Sequence, residues 1–156
     1  MRFFLMDVGS NNSFPSGTLS NFTANDFVLD GVQCKSMEGL LQSFKFENID
    51  AQSITCGLTG IRAKRKGQKR NKHWKSKQVL WWRGVPYSRK SDEYQSLLDR
   101  SFTALYEQSE KFRRALEASG DAVFTHSIGK SNKKETVLTT QEFCGRLQKL
   151  KDYGRL

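Results

Sequence analysis

Glu38, Gln42 and Lys45, three side chains of different chemistry, stand one turn apart along the segment Ser36-Met37-Glu38-Gly39-Leu40-Leu41-Gln42-Ser43-Phe44-Lys45-Phe46. A carboxylate can steady a developing cation or activate water, an amide can donate and accept, and an amine relieved of its charge can attack carbon. Met37, Leu40, Leu41 and Phe44 fall at i, i+3, i+4 and i+7, so the segment predicts an amphipathic helix with Ser36 as its N-cap. At roughly 100° per residue the Glu38–Gln42–Lys45 stripe sits about 115° from the apolar one, on the flank of the helix. A flank can line a cleft whose floor is the core, whereas a fully solvated stripe would point opposite to it. On spacing alone, ordinary surface charges, or for Lys45 an ion-paired lysine at the helix edge, are the alternative accounts.

The rest of the chain must hold that helix against a core. With 156 residues, 37% hydrophobic and 12% aromatic, the composition suits one domain over 1–156 that buries about two thirds of its unfolded surface. No apolar run approaches the ~20 residues of a membrane span, so no membrane partner is expected. Phe3-Phe4-Leu5-Met6, interrupted by Asp7, is too short for the apolar region of a signal peptide and reads as part of a strand from about Arg2 to Val8. A cytoplasmic chain is expected. Cys34, Cys56 and Cys144 are widely spaced without a C-x-x-C pair, which fits reduced thiols. His73 and His126 stand without clustered carboxylates, so neither a metal nor a redox cofactor is implied.

A polar loop rich in Gly, Ser, Asn and Pro is predicted from Gly9 to Gly17, and a hairpin from Asp26 to Cys34 with Asp30-Gly31 at its turn. After the key helix, shorter helices are predicted at Ala51 to Cys56, at Thr59 to Lys66 with Gly67 as the C-terminal residue, and at Asn71 to Trp82, before a break at Pro86. Ser91 caps a long helix whose Tyr94, Leu97, Leu98, Phe102, Leu105 and Tyr106 recur at core spacing, and Lys111 to Ser119 follows it. Ala122 to Thr125 reads as a strand that delivers His126 to a loop, with a polar turn at Gly129 to Lys134. Thr139 and Glu142 make a capping box for a last helix with Phe143, Leu147 and Leu150 inward. The expected class is α+β, a mainly helical domain with a few short strands.

Charge is unevenly distributed along a chain of net charge +10. From Ala51 to Ser91 there is no Asp or Glu, while Arg62, Lys64, Arg65, Lys66, Lys69, Arg70, Lys72, Lys75, Lys77, Arg83, Arg89 and Lys90 are all basic. A field of one sign attracts phosphates, and His73, Trp74, Trp81 and Trp82 interleave with it as candidate stacking surfaces. Lys64, Lys69, Arg70 and Lys72 are the residues assigned to phosphate or nucleic-acid attraction. A solvated, solubilising face is the alternative.

Taken in order, Leu19-Ser20-Asn21-Phe22, the Ser36–Phe46 segment, Ala63-Lys64-Arg65-Lys66-Gly67, Trp74, Thr125-His126-Ser127 and Glu142-Phe143-Cys144 resemble the NADAR family of YbiA-like proteins, over roughly Leu19 to Lys151. The family motif S-x-E-x-x-x-Q-x-x-K-F is matched in full by Ser36, Glu38, Gln42, Lys45 and Phe46, and the upstream S-N-F by Ser20, Asn21 and Phe22. The resemblance implies a YbiA-like fold and cleavage of N-glycosidic bonds of ribosyl-nucleobase or ADP-ribosyl compounds. It implies Glu38 and Lys45 as catalytic, and Ser20, Asn21, Phe22, Ser36, Gln42, Gly67, Trp74 and His126 as substrate-binding. In that reading Trp74 stacks on the leaving base, Asn21 bonds the ribose or base, and His126 orients a phosphate or loop; a core tryptophan, a turn-forming asparagine and a structural histidine are the alternatives.

The D-x-x-W-G signature that follows the histidine in riboflavin-pathway members is missing between Ser127 and Leu138. The ending His126-Ser127 … Glu135-Thr136-x-Leu138-Thr139-x-x-Glu142-Phe143-Cys144 is instead similar to branches that remove ADP-ribose from guanine, a role that a phage or mobile-element source would suit. The chemistry fits the residues: as the base departs, the ribose carbon gains positive charge that Glu38 would stabilise, or Lys45 would attack the opened sugar as a Schiff base. The other readings are a non-catalytic module that binds ADP-ribose or nucleic acid through Arg62 to Lys77, and a hydrolase of ribosylamino-pyrimidine intermediates.

Overall fold

Short polar side chains decide where the helices of this chain begin. Ser36, Asn48, Ser91, Ser109 and Thr139 each accept a hydrogen bond from the backbone N–H three residues on. Each satisfies a donor that a helix N-terminus leaves unpaired, worth about 1 kcal/mol. The computed structural model describes residues 4–156. In chain order the elements are β1 (Leu5–Asp7), α1 (Ser16–Leu19), β2 (Phe27–Leu29), β3 (Val32–Cys34), α2 (Met37–Ser43), α3 (Ile49–Cys56) and α4 (Gly60–Gln68). There follow α5 (Asn71–Lys77), β4 (Val79–Trp82), β5 (Val85–Ser88), α6 (Asp92–Gln108), α7 (Glu110–Ala118), β6 (Val123–Thr125) and α8 (Thr140–Tyr153). The strands form three two-stranded sheets: β1 parallel to β6 with Leu5 opposite Val123, and antiparallel hairpins β2–β3 and β4–β5. Helices dominate over short strands, so the fold is α+β.

Three expectations change in detail. The first strand is Leu5–Asp7; Arg2 and Phe3 lie outside the described residues. The Gly9–Gly17 loop runs into α1, which is secured by the Ser16 hydroxyl donating to the Asp7 carbonyl at 2.6 Å. The helix expected to run from Asn71 to Trp82 ends at Lys77, where Gln78 turns left-handed with φ 53°, and the chain reverses as a hairpin. Val79-Leu80-Trp81-Trp82 is β-branched and aromatic, and Arg83 and Gly84 supply the two positive φ angles, 50° and 84°, of a tight hairpin turn. Pro86 therefore lies within β5, opposite Trp81, in a two-stranded sheet that tolerates its missing N–H.

Helix α2 sits at the centre of the core, packed on α3 and α4, with Leu40 and Phe44 fully buried. Phe44 meets Trp82 and Tyr94 edge-on, at centroid distances of 5.7 and 6.1 Å. Trp74, Trp81 and Trp82 belong to this core, which corrects the expectation that Trp81 and Trp82 are stacking surfaces on the basic face. His73 alone among those aromatics is partly exposed, stacked on Trp81 at 5.5 Å.

Arg89 also leaves the basic field. It is fully buried, and its guanidinium donates to both carboxylate oxygens of Glu142, at 2.7 and 3.1 Å, and through Nε to the Thr136 carbonyl at 2.8 Å. Glu142 further accepts from Gln95 Nε2 and the Thr139 N–H, and the Tyr94 hydroxyl donates to the Val137 carbonyl at 2.6 Å. The segment joining β6 to α8 is thus fastened to α6 and to the chain preceding it.

Burial works against the charge on Glu142, yet the hydrogen bonds from Arg89, Gln95 and the Thr139 amide hold its carboxyl down at about 2. A carboxylate depressed in the folded state stabilises fully above its ordinary value and loses that stabilisation as pH falls toward about 2. Arg89→Ala, which strands a buried carboxylate, should cost about 3–5 kcal/mol in urea unfolding at neutral pH. Glu142→Gln should flatten the acid limb of stability; parallel acid limbs in the variant and wild type would remove Glu142 from that role.

Candidate active site

The flank of α2 forms one wall of a cleft of about 350 Å³, within the roughly 300–1,000 Å³ of small-molecule sites. Ser36 starts that wall: its hydroxyl accepts from the Gly39 N–H at 3.0 Å and donates to the Leu58 carbonyl at 2.9 Å. The Glu38 N–H donates to the Asn21 carbonyl at 2.9 Å, which fastens the Ser20–Phe22 segment to the first turn of α2. Asn21 and Phe22 line the cleft beside Glu38, Gln42 and Lys45. The α4 and α5 helices supply Lys64, Asn71, Trp74 and Lys75, and the segment after β6 supplies His126, Ile128 and Lys130.

The sequence-derived residues divide on this geometry. Glu38, Lys45, Asn21, Phe22, Gln42, Trp74, His126 and Lys64 come together around one cleft. Ser20, Ser36 and Gly67 stand behind its walls: the Ser20 hydroxyl accepts from the Phe22 N–H at 3.2 Å, and Ser36 caps α2. Gly67 lies in the last turn of α4, one residue before its end at Gln68, and allows α4 to press on Gln42; a Cβ there would stand 1.8 Å from Gln42 Oε1 and 2.9 Å from its Cβ. Trp74 is 1% exposed, so it contributes to the cleft from within the core. Lys69, Arg70 and Lys72 lie off the cleft; Lys69 and Lys72 are exposed, and the Arg70 guanidinium sits 6.0 Å over Phe46.

Within the wall, Gln42 Nε2 donates to Glu38 Oε1 at 2.7 Å, and Lys45 Nζ donates to Asn71 Oδ1 at 2.6 Å. Lys45, 5% exposed, has no carboxylate ion-pair partner among the described residues. Burial raises the Glu38 carboxyl above its ordinary value, against the Gln42 hydrogen bond and the charges of Lys45, Lys64 and His126. Burial likewise lowers Lys45 to about 8; Glu38 opposes the shift, while Lys75, Lys130 and Lys64 add to it. An attraction between carboxylate and amine would move both the other way, so desolvation dominates the wall.

Asn71 escaped sequence reasoning because it acts across 26 residues on Lys45 and carries no motif of its own. Lys130 and Ile128 were missed because they lie in the polar turn region, where only folding brings them to the rim. Lys75 closes part of the mouth through an ion pair to Glu135 at 3.3 Å.

The architecture is that of the NMR structure of the E. coli protein YbiA, which covers 97% of this chain and 85% of that one at a TM-score of 0.62 and 17% identity. A chain of YbiA-like fold, then, carries this acid–amine cleft. It belongs to the bacteriophage protein GP30.3 family, whose family model matches residues 13–152. It is also 36% identical, over 94% of its length and 97% of the relative's, to the 17.1 kDa protein of the Gp30-rIII intergenic region of Enterobacteria phage T4.

Gly67→Ala tests how the wall is held. The added methyl must swing the Gln42 amide away and break its bond to Glu38, so the Glu38 titration should move further upward in carboxyl-carbon NMR. An unchanged Glu38 titration would show that Gly67 does not set the Gln42 position.

Proposed function

We propose that this cleft hydrolyses an N-glycosidic bond, removing ADP-ribose from a guanine base carried by a nucleotide or a nucleic acid. The observation that carries the reading is the pairing of a half-buried carboxylate and a buried amine on one cleft wall, each held by its own amide, Gln42 and Asn71. A module that only bound ADP-ribose would gain nothing from holding Glu38 in a desolvated cleft where its carboxyl is pushed up. Lys64, Lys75 and Lys130 border the same cleft and answer a diphosphate. The missing D-x-x-W-G signature and the H-S…E-T-x-L-T-x-x-E-F-C ending favour ADP-ribosyl guanine over riboflavin intermediates.

Two routes use the same residues. In one, Glu38 stabilises the cationic ribose carbon as the C1′–N bond breaks and guides water onto C1′. In the other, neutral Lys45 forms a bond to C1′ as the base leaves, the ribose ring opens to an iminium, and water then releases the sugar. Lys45 at about 8 keeps a useful neutral fraction at physiological pH.

Glu38→Gln should fold, retain ADP-ribose binding and lose at least about a hundredfold in turnover of ADP-ribosylated guanosine. Wild-type-like turnover would take Glu38 out of the mechanism. Borohydride added during turnover separates the routes. An amine route predicts a reduced adduct on Lys45 by peptide mass spectrometry and a rate that climbs as pH rises through about 8, because the ammonium must first lose its proton. Absence of the adduct, or its appearance on another lysine, rejects attack by Lys45.

A further inference from the structure

The side of the cleft provided by the segment after β6 carries a group that neither route uses. His126 is fixed by three contacts. Its Nδ1–H donates to the Val8 carbonyl at 2.8 Å, a bond that a carbonyl can only accept, so Nδ1 bears the proton. Its ring meets Phe143 edge-on at 5.2 Å, and Gly129 packs so closely that a Cβ there would stand 2.7 Å from His126 Cδ2. Nε2, the remaining ring nitrogen, has no hydrogen-bond partner among the described residues, and the half-buried ring lines the cleft.

A neutral purine departs poorly as an anion, so a glycosidase gains by protonating the base nitrogen as the bond breaks. Resting on the glycosidase reading above, we propose that His126 is the catalytic acid that protonates the departing nucleobase through Nε2. His126 and Glu38 line the same cleft, from the segment after β6 and from α2. A diphosphate set beside the Glu38 carboxylate would be repelled, whereas Lys64, Lys75 and Lys130 give it a cationic rim. In the proposal the leaving base faces His126, whose Nε2 is the ring nitrogen without a partner on the cleft. In the step His126 starts as the imidazolium, its Nδ1–H kept on the Val8 carbonyl; the C1′–N bond breaks with its electron pair going to the base, and the second ring proton, on Nε2, passes to the base nitrogen. Water oxygen joins C1′, and the proton that water loses returns through Glu38 to Nε2. The net change is substrate plus water to free base plus ADP-ribose.

The test compares wild type with His126→Gln on ADP-ribosylguanosine-type substrate and on the same substrate methylated at a base ring nitrogen, whose cationic base leaves neutral without a proton. His126→Gln should lower kcat on the unmethylated substrate by about 10²–10⁴-fold with KM little changed. On the methylated substrate the loss should shrink by at least tenfold. Because the ratio of the two rates is taken within one preparation, a partly unfolded variant does not mimic the effect. Equal losses on both substrates, or a loss confined to KM, overturn the acid role and leave His126 as a positioning or phosphate-binding residue while the glycosidase reading stands. If wild type turns over the unmethylated substrate alone, a solvent-deuterium effect on its kcat that vanishes in His126→Gln supports the role, and no such effect in wild type overturns it. A wild type inactive on both substrates overturns the glycosidase reading itself, and the acid role with it.

Discussion

One buried ion pair, Arg89 with Glu142, holds the cleft's second wall where the first can use it. The segment between β6 and α8 has little apolar content to anchor it: Val137 is buried and Leu138 half-buried, while Ser131 to Glu135 are exposed. What secures it is polar. Arg89 binds the Thr136 carbonyl, Tyr94 binds the Val137 carbonyl, and Glu142 closes the capping box with Thr139 at the head of α8. A fully buried guanidinium is tolerable only because its fork meets a carboxylate in bidentate geometry and its remaining Nε donor is also satisfied. The same pair therefore sets the start of α8, whose Phe143 steadies His126.

The α2 wall solves the opposite problem. Its charged groups are deprived of water without being paired to each other, and each is left with one neutral amide partner. An ion pair between Glu38 and Lys45 would be more stable and less reactive, since mutual attraction would fix both in their charged forms. Donating the Lys45 ammonium to Asn71 and the Gln42 amide to Glu38 keeps the geometry while leaving both groups displaced toward neutrality. The close approach at Gly67 belongs to this arrangement, because the Gln42 amide is confined between α2 and α4.

Local signals were legible in the sequence and distant ones were not. The α2 periodicity, the Ser36, Ser91 and Thr139 caps and the Asp30-Gly31 hairpin depend on residues within a few positions, and each lies where spacing put it. The β4–β5 hairpin was hidden because its turn, Arg83-Gly84, uses a non-glycine residue at positive φ inside a basic run. Arg89 looked like any other charge in that run; only Glu142, 53 residues away, distinguishes it. Trp81 and Trp82 interleave with charges in sequence but alternate with the chain's path in space, and β4 turns them into the core. Of the cleft, the α2 stripe, Lys64 and the Asn21-Phe22 step were readable, whereas Asn71, Lys130 and Ile128 enter only through tertiary contacts.

The cations around the mouth have two electrostatic consequences that must be compatible during a reaction. Lys64, Lys75 and Lys130 would draw the diphosphate of the proposed substrate, and the same charges help to depress Lys45. A bound diphosphate would neutralise their field and return that part of the depression. Burial, however, is the first cause of the Lys45 shift, and a ligand that fills the cleft displaces water and strengthens it. In the proposed reaction the wall would take its reactivity from desolvation and leave attraction to the rim. That division explains why the groups that would touch the sugar lie on a buried helix flank, while the groups that would meet phosphate stand at the exposed edge.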